Sequence, residues 1–188
     1  MNSQLLYVKN MLECCKHFSD QHSNFQIKET GLDAKLKSLT FEVDKNVEWL
    51  MFTPETGRDS RSRMSNLLVV IPGQHHHRAC DSVVILTLNS IWYVLYLELK
   101  SNHLAPSNIA KQFKSTRQFV KYMFGLCNDL ANIDIPEVKE RFIVFCTKNS
   151  IDKKPTSLRA KAATDPNEPN IRPVVNGESL LLKAFVLP

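Results

Sequence analysis

The stretch CDSVVILTLNSIWYVLYLELK, residues 80–100, decides the fold. Asp81 to Leu88 and Ile91 to Lys100 are rich in Val, Ile, Leu, Tyr and Trp, and only Asn89-Ser90 separates them. Two such runs around a two-residue polar link predict a tight β-hairpin. With Asn89 and Ser90 at the turn, Asp81 falls directly opposite Glu98, and a four-residue loop gives the same pairing. A one-residue slip would turn Asp81 to the other face. Glu98 and Lys100 are two residues apart, so they share a strand face, and Asp81 points to that same face. Directly opposed residues have Cβ atoms about 4.5–5.5 Å apart. Two carboxylates there repel each other unless a cation sits between them. A Mg²⁺ ion answers that need, and Lys100 supports it. Glu98 also interrupts the run Trp92 to Leu97, with Leu99 following, in a strand dressed for burial on both faces. A carboxylate in such a place needs a partner.

Downstream of the hairpin, Pro106-Ser107 opens a long helix, with Ser107 placed to cap it. Ile109, Phe113, Thr116, Val120 and Phe124 form its buried stripe, and it is expected to end near Gly125 to Asn128. Between Leu99 and Asn128 lie five basic residues (Lys100, Lys111, Lys114, Arg117, Lys121) and no acidic one. At helical spacing Lys111, Lys114, Gln118 and Lys121 share a side away from the apolar stripe. A one-signed face offers phosphate contacts at the cost of self-repulsion. Arg141 to Thr147 reads as a buried strand. Upstream, Ser3 to Phe18 reads as a helix through Leu5, Val8, Leu12 and Cys15. Ser38 to Val43 alternates as a short strand, and Asn46 to Phe52 stays open between helix and strand. Thr53 to Ser65 is a polar loop with Arg58, Arg61 and Arg63. Asn66 to Ile71 is a β-branched strand stopped by Pro72-Gly73, and the turn continues through His75, His76, His77 and Arg78. Lys148 to Gly177 is polar and carries Pro155, Pro166, Pro169 and Pro173. Ser179 to Leu187 offers a last strand. The expected fold is α/β, a central mixed β-sheet flanked by helices. It forms one domain over residues 1–188, with a long polar, proline-containing loop at 148–178.

Composition narrows the class. At 188 residues, 43% hydrophobic and 23% charged, the chain has the makeup of a globular protein and excludes disordered or fibrous classes. Val83 to Leu99, the longest nearly apolar stretch, is broken by Thr87, Asn89, Ser90 and Glu98, so no membrane span is expected. The N-terminal stretch has neither a long apolar core nor a small-residue cleavage site, so no signal peptide is expected. Five cysteines without a C-x-x-C spacing read as reduced thiols in a cytoplasmic protein. A net charge of +5 leans towards a polyanionic partner.

Asp81-Ser82-Val83-Val84-Ile85, a gap, Glu98-Leu99-Lys100 and then a basic helix resemble the PD-(D/E)xK nuclease superfamily. There an Asp starts one strand and Glu-x-Lys ends the next. Cys80 stands where that superfamily often has a proline. Gln118 and Tyr122 match the Q-x-x-x-Y element of its RecB-like branch, with Gln112 as an alternative glutamine at a shorter distance. The resemblance covers residues 80–122 and, by element order, extends to Thr147. It implies a restriction-endonuclease-like core and metal-dependent hydrolysis of phosphodiester bonds, with DNA favoured. Asp81 and Glu98 would hold Mg²⁺ or Mn²⁺. An early acidic residue often completes such a site, and Glu42 is favoured here over Glu13. Lys100 would orient or help deprotonate the attacking water, and Gln118 and Tyr122 would position the strand or the carboxylates. Lys111, Lys114, Lys121 and Arg78 would contact the nucleic acid. A homodimer or a partner protein is expected, in a context of phage defence, mobile elements or repair.

Two other classes stay in view. One is a nucleic-acid-binding or complex-assembly module on the same fold with little turnover, which metal-dependent cleavage would separate from a nuclease. The other is a thiol or zinc hydrolase built on Cys14, Cys15 and His17 or on the His75-His76-His77 run. Successive strand residues alternate sides, so three histidines in a row cannot all face one ion. Cys15 falls on the apolar stripe of the expected first helix and reads as packing.

Overall fold

A computed structural model of the chain describes residues 3–12, 15–19, 21–29, 34–54, 71, 78–101, 104–147 and 163–186. In chain order the elements are α1 (Ser3–Met11), β1 (Cys15–Phe18), β2 (Asn24–Lys28), β3 (Ser38–Glu42), β4 (Glu48–Phe52), β5 (Ser82–Leu88), β6 (Ile91–Lys100), α2 (Pro106–Ala131), β7 (Val138–Thr147), β8 (Asn170–Val174) and β9 (Ser179–Leu181). A short 3₁₀ turn, Leu182–Phe185, follows.

The β5–β6 hairpin has the register read from the sequence, from Leu88 opposite Ile91 to Ser82 opposite Leu97. Asn89 and Ser90 take φ of 52° and 63°. Positive φ at both central residues is the turn whose twist matches the flanking strands, and asparagine tolerates it better than most residues. From β6 the chain crosses through α2 and returns as β7, parallel to β6, with Lys100 beside Cys146. A parallel return needs such a crossover. The central sheet therefore has the order β1-β4-β5-β6-β7-β8, antiparallel from β1 to β6 and parallel from β6 to β8. This is an α/β fold with a mixed central sheet.

Its two faces are covered differently. A second sheet of order β2-β3-β9 lies on one face, where Phe25, Ile27, Leu39 and Phe41 join Val84, Leu95, Leu97, Leu99 and Phe145 in one core. On the other face Val83, Ile85, Val94, Tyr96, Phe142 and Val144 pack with Leu5 and Val8 of α1 and with Ile109, Phe113, Val120 and Phe124 of α2. Burial on both faces explains why β5 and β6 read as near-continuous apolar runs.

Several boundaries differ from the sequence reading. The first helix stops at Met11, and Cys15–Phe18 is a strand paired with β4, leaving Cys15 half-buried. Four residues are too few for the two periodicities to separate. Ser107 does not cap α2. Ala105 occupies the cap position without a side-chain bond, and Pro106 opens the helix with a preset φ and no N–H to satisfy. The helix passes through Gly125 because Phe124 and Cys127 keep it packed, and it ends at Asn132, whose φ is 53°. Asn46 to Phe52 resolves into β4. The alternation of β2 was too short to register. The proline-containing loop holds β8, where Pro173 sits in a strand at the edge of the sheet. Ser179–Leu181 is a strand, but the next four residues wind into the 3₁₀ turn. Glu13, Cys14, the arginines at 58, 61 and 63, the strand expected from Asn66 (all but Ile71) and the three successive histidines lie outside the described residues.

Candidate active site

At the open end of the hairpin, Asp81 and Glu98 bind each other's strands. The Asp81 N–H donates to Glu98 Oε2 at 3.1 Å, and the Leu99 N–H donates to Asp81 Oδ2 at 2.6 Å. The two residues thus meet across the hairpin one position beyond its last ladder pair, Ser82 with Leu97. Glu98 is fully buried. Its Oε1 forms an ion pair with Lys100 Nζ, whose side chain is 29% exposed. Alternation along β6 turns Glu98 and Lys100 to the face covered by α2, together with Val94 and Tyr96.

Helix α2 supports this end of the hairpin. Gln112 lies beside the Glu98 carboxylate and favours its charged form, and its Nε2 donates to the Ala79 carbonyl at 3.0 Å. Thr116 Oγ1 accepts the Cys80 N–H at 3.0 Å and donates to the Gln112 carbonyl at 3.0 Å. Burial pushes the Glu98 carboxyl up from its ordinary value, and the Lys100 ammonium, the Asp81 N–H and Gln112 offset only part of that rise. Burial acts to lower the Lys100 pKa, but Glu98, Asp81 and Glu29 outweigh it and hold the ammonium above the ordinary lysine value. Lys100 is therefore a cation at neutral pH. Its first contribution is charge, and it is no base while Glu98 holds it.

Asp81, Glu98 and Lys100 come together; Gln118, Tyr122 and Glu42 do not join them. Gln118 is exposed and Tyr122 is 64% exposed, on the solvent side of α2. Six residues advance a helix by about 240°, so Gln112 and Gln118 cannot both face the sheet. The inward positions four residues apart belong to Gln112 and Thr116. The buried stripe through Thr116 carried that signal, but the aromatic at 122 made the more conspicuous match. Glu42 lies on β3 in the smaller sheet, across the central sheet from α2, where its exposed carboxylate accepts the Ser179 hydroxyl at 2.7 Å.

Lys111, Lys114, Gln118 and Lys121 are all exposed along one side of α2, and Arg78 is exposed just before the Asp81 strand. Arg117 does not belong to that side. Its guanidinium forks onto Glu140, with Nε at 3.0 Å from Oε1 and a terminal nitrogen at 2.5 Å from Oε2, and the Tyr96 hydroxyl donates to the same carboxylate at 3.1 Å.

Two residues near the site had no signal in the sequence. Ser101, next to Lys100, donates its hydroxyl to Glu29 Oε2 at 2.5 Å and accepts the Leu36 N–H at 2.7 Å. Glu29 lies just past β2, far from Lys100 in the chain, and no local pattern links the two.

Cys80, Cys127 and Cys146 are buried and do not make a nucleophilic site. Burial, with Glu98 and Asp81 adding to it, pushes Cys80 well up. Burial also raises Cys127, and takes Cys146 to about 11. A thiol attacks as the thiolate, so these three stay protonated near neutral pH. Among the described residues no cluster of three or more His, Cys, Asp or Glu is arranged to hold a metal. Asp81 and Glu98 are a two-carboxylate donor set. That fits Mg²⁺, which takes one or two carboxylates and fills its shell from water and substrate phosphate.

Scans against protein-family models, curated proteins and solved structures returned no match. No described helix is long and apolar enough to cross a membrane.

Proposed function

We propose that this chain is a Mg²⁺- or Mn²⁺-dependent nuclease with a restriction-endonuclease-like core, acting on DNA in preference to RNA. The observation that carries the reading is the buried Glu98, joined to Asp81 and Lys100 at the open end of one hairpin. The element order supports it: helix α1, antiparallel β4 to β6, crossover helix α2 and parallel β7 follow the order that the superfamily resemblance implies.

Asp81 and Glu98 would hold the cation. When bound, it would polarise the scissile phosphate and acidify a water. Lys100 offsets the charge of the phosphate through its ammonium. Gln112 fixes the Glu98 carboxylate, and Thr116 fastens α2 to the strand entry. The lysines at 111, 114 and 121, with Arg78, draw the nucleic-acid backbone across the outer side of α2. Reduced thiols fit a cytoplasmic location, and a homodimer or a partner protein would supply a second cut or a target.

One observation favours the binding-module reading. Glu98 already has the Asp81 N–H, Lys100 and Gln112 as partners, so the cluster can serve the fold alone. One experiment separates the two. Plasmid, linear duplex, single-stranded DNA and RNA are incubated with the purified chain, with and without Mg²⁺ or Mn²⁺. Cleavage that needs the cation and stops with chelator supports the nuclease. Binding without cleavage on any substrate would hand the site to the binding module. On either reading, changing Lys111, Lys114 and Lys121 together to Ala should flatten the slope of log K against log salt by about 2–3 units.

A further inference from the structure

We propose that the outer side of α2 holds single-stranded DNA, with a base stacked on Tyr122 and phosphates on the lysines beside it. This rests on the reading of that side as a nucleic-acid contact, which the nuclease and the binding module share.

Helix α2 divides its aromatic side chains. Phe113 and Phe124 are buried in the core under the helix and Phe119 packs against that core. Tyr122 belongs to neither apolar cluster and is 64% exposed. At 3.6 residues per turn, Lys111, Gln118 and Tyr122 fall within about 40° of one another, on the line opposite the buried stripe. Lys114 and Lys121 are exposed along one flank of that line, two turns or about 10 Å apart. The first acidic residue of the helix is Asp129, about two turns beyond Tyr122.

A row of cations next to an uncovered ring suits one polymer in particular. A phosphate backbone laid on the Lys114–Lys121 row has Tyr122 at its side, at the level where its bases project. In a duplex those bases are already paired and stacked, and the ring gains nothing from them. In a single strand the base face is free, and every base has one, so the contact asks for no particular sequence.

The ring is remote from the carboxylates. Gln112, which meets the Ala79 carbonyl beside them, is ten residues earlier, about 15 Å along the axis. Tyr122 thus grips the strand away from the reacting bond and is not a catalytic residue.

Fluorescence anisotropy on the full chain tests this, in chelator so that no strand is cut. Three labelled probes of one length are used: a single strand, its duplex, and an abasic strand that keeps the phosphates without the bases. The proteins are the wild type, Tyr122→Ala, Tyr122→Phe and the triple variant with Ala at 111, 114 and 121. Tyr122→Ala should weaken single-strand binding about tenfold, the scale of one lost stacking contact. It should change duplex and abasic binding less than about twofold and leave the salt slope alone. Tyr122→Phe should stay within about twofold of the wild type on every probe. The triple variant should flatten the single-strand salt slope by about 2 units. No loss in Tyr122→Ala, an equal loss on all three probes, or a loss in Tyr122→Phe as large as in Tyr122→Ala each overturns the stacking while the lysine contact stands. A triple variant that binds like the wild type, or a wild type that binds none of the probes, overturns both. Circular dichroism checks the fold. One arm needs no variant: a wild type that binds the single strand and the abasic strand equally overturns the stacking.

Discussion

Glu98 with Lys100 and Glu140 with Arg117 lie on the same helix-facing side of the central sheet, on the adjacent parallel strands β6 and β7. Both carboxylates are well buried, at 0% and 13% exposure. Their cations differ in kind. Arg117 presents a planar fork that meets both oxygens of Glu140, and the Tyr96 hydroxyl adds a third bond. Such a pair is geometrically closed and fastens α2 to the sheet. Lys100 is a point charge on a flexible stem, set on one oxygen of Glu98. That pair can be exchanged. A buried carboxylate is therefore a poor guide to chemistry until its cation is known.

The largest expected effect tests the exchangeable pair. Lys100→Ala or Asp81→Ala should lower cleavage by at least about a hundredfold, the scale for losing one charge-stabilising group in a site. Circular dichroism should stay unchanged. Gln112→Ala should lower turnover less, and Gln118→Ala should be near neutral. Equal losses at 112 and 118 would return the outer side of α2 to the chemistry.

The closed pair should behave the other way. Arg117→Ala should leave cleavage within about threefold and cost about 2 kcal/mol in denaturant unfolding, below the full figure for breaking a buried pair because Arg117 is partly exposed. A large loss of cleavage with unchanged stability would reverse the comparison.

The smallest effect is a matter of pH. Burial first, then Glu140, pushes the Tyr96 hydroxyl well above its ordinary value of 10.0. A raised folded pKa gives stability that is complete below the unfolded value and is lost as pH climbs towards the folded one. Thermal melts above pH 10 should fall for the wild type, and Tyr96→Phe should flatten that decline. Parallel curves for the two proteins would mean that Tyr96 keeps no proton advantage in the fold.

Legibility in the sequence followed the range of the interactions. The hairpin was readable because a two-residue turn fixes its register locally. The register alone then placed Asp81, Glu98 and Lys100 on one face. The stripe of α2 was readable because its 26 residues repeat the helical period many times. Cys15–Phe18 and Asn24–Lys28 were not, since four or five residues do not sample a period. The match at 118 and 122 followed residue type, whereas angular position turns the alternative glutamine, Gln112, towards Glu98 and leaves Gln118 exposed. Glu29 and Ser101 were illegible for a different reason. Their bond joins strands of separate sheets, and only tertiary packing brings them together.

The turn at Asn89-Ser90 also bears on the order of folding. A hairpin with a two-residue link closes in about 1–10 μs, starting where the loop entropy is smallest. The ladder zips from Leu88 and Ile91 towards Ser82 and Leu97. The next rung sets Asp81 against Glu98, and like charges directly opposed are unfavourable. Lys100 on β6 and the Asp81 N–H relieve them within the hairpin, whereas Gln112 follows β6 in the chain and must dock with α2. As the chain is made, this rung therefore relies on Lys100 and gains its helix partner only when α2 is in place.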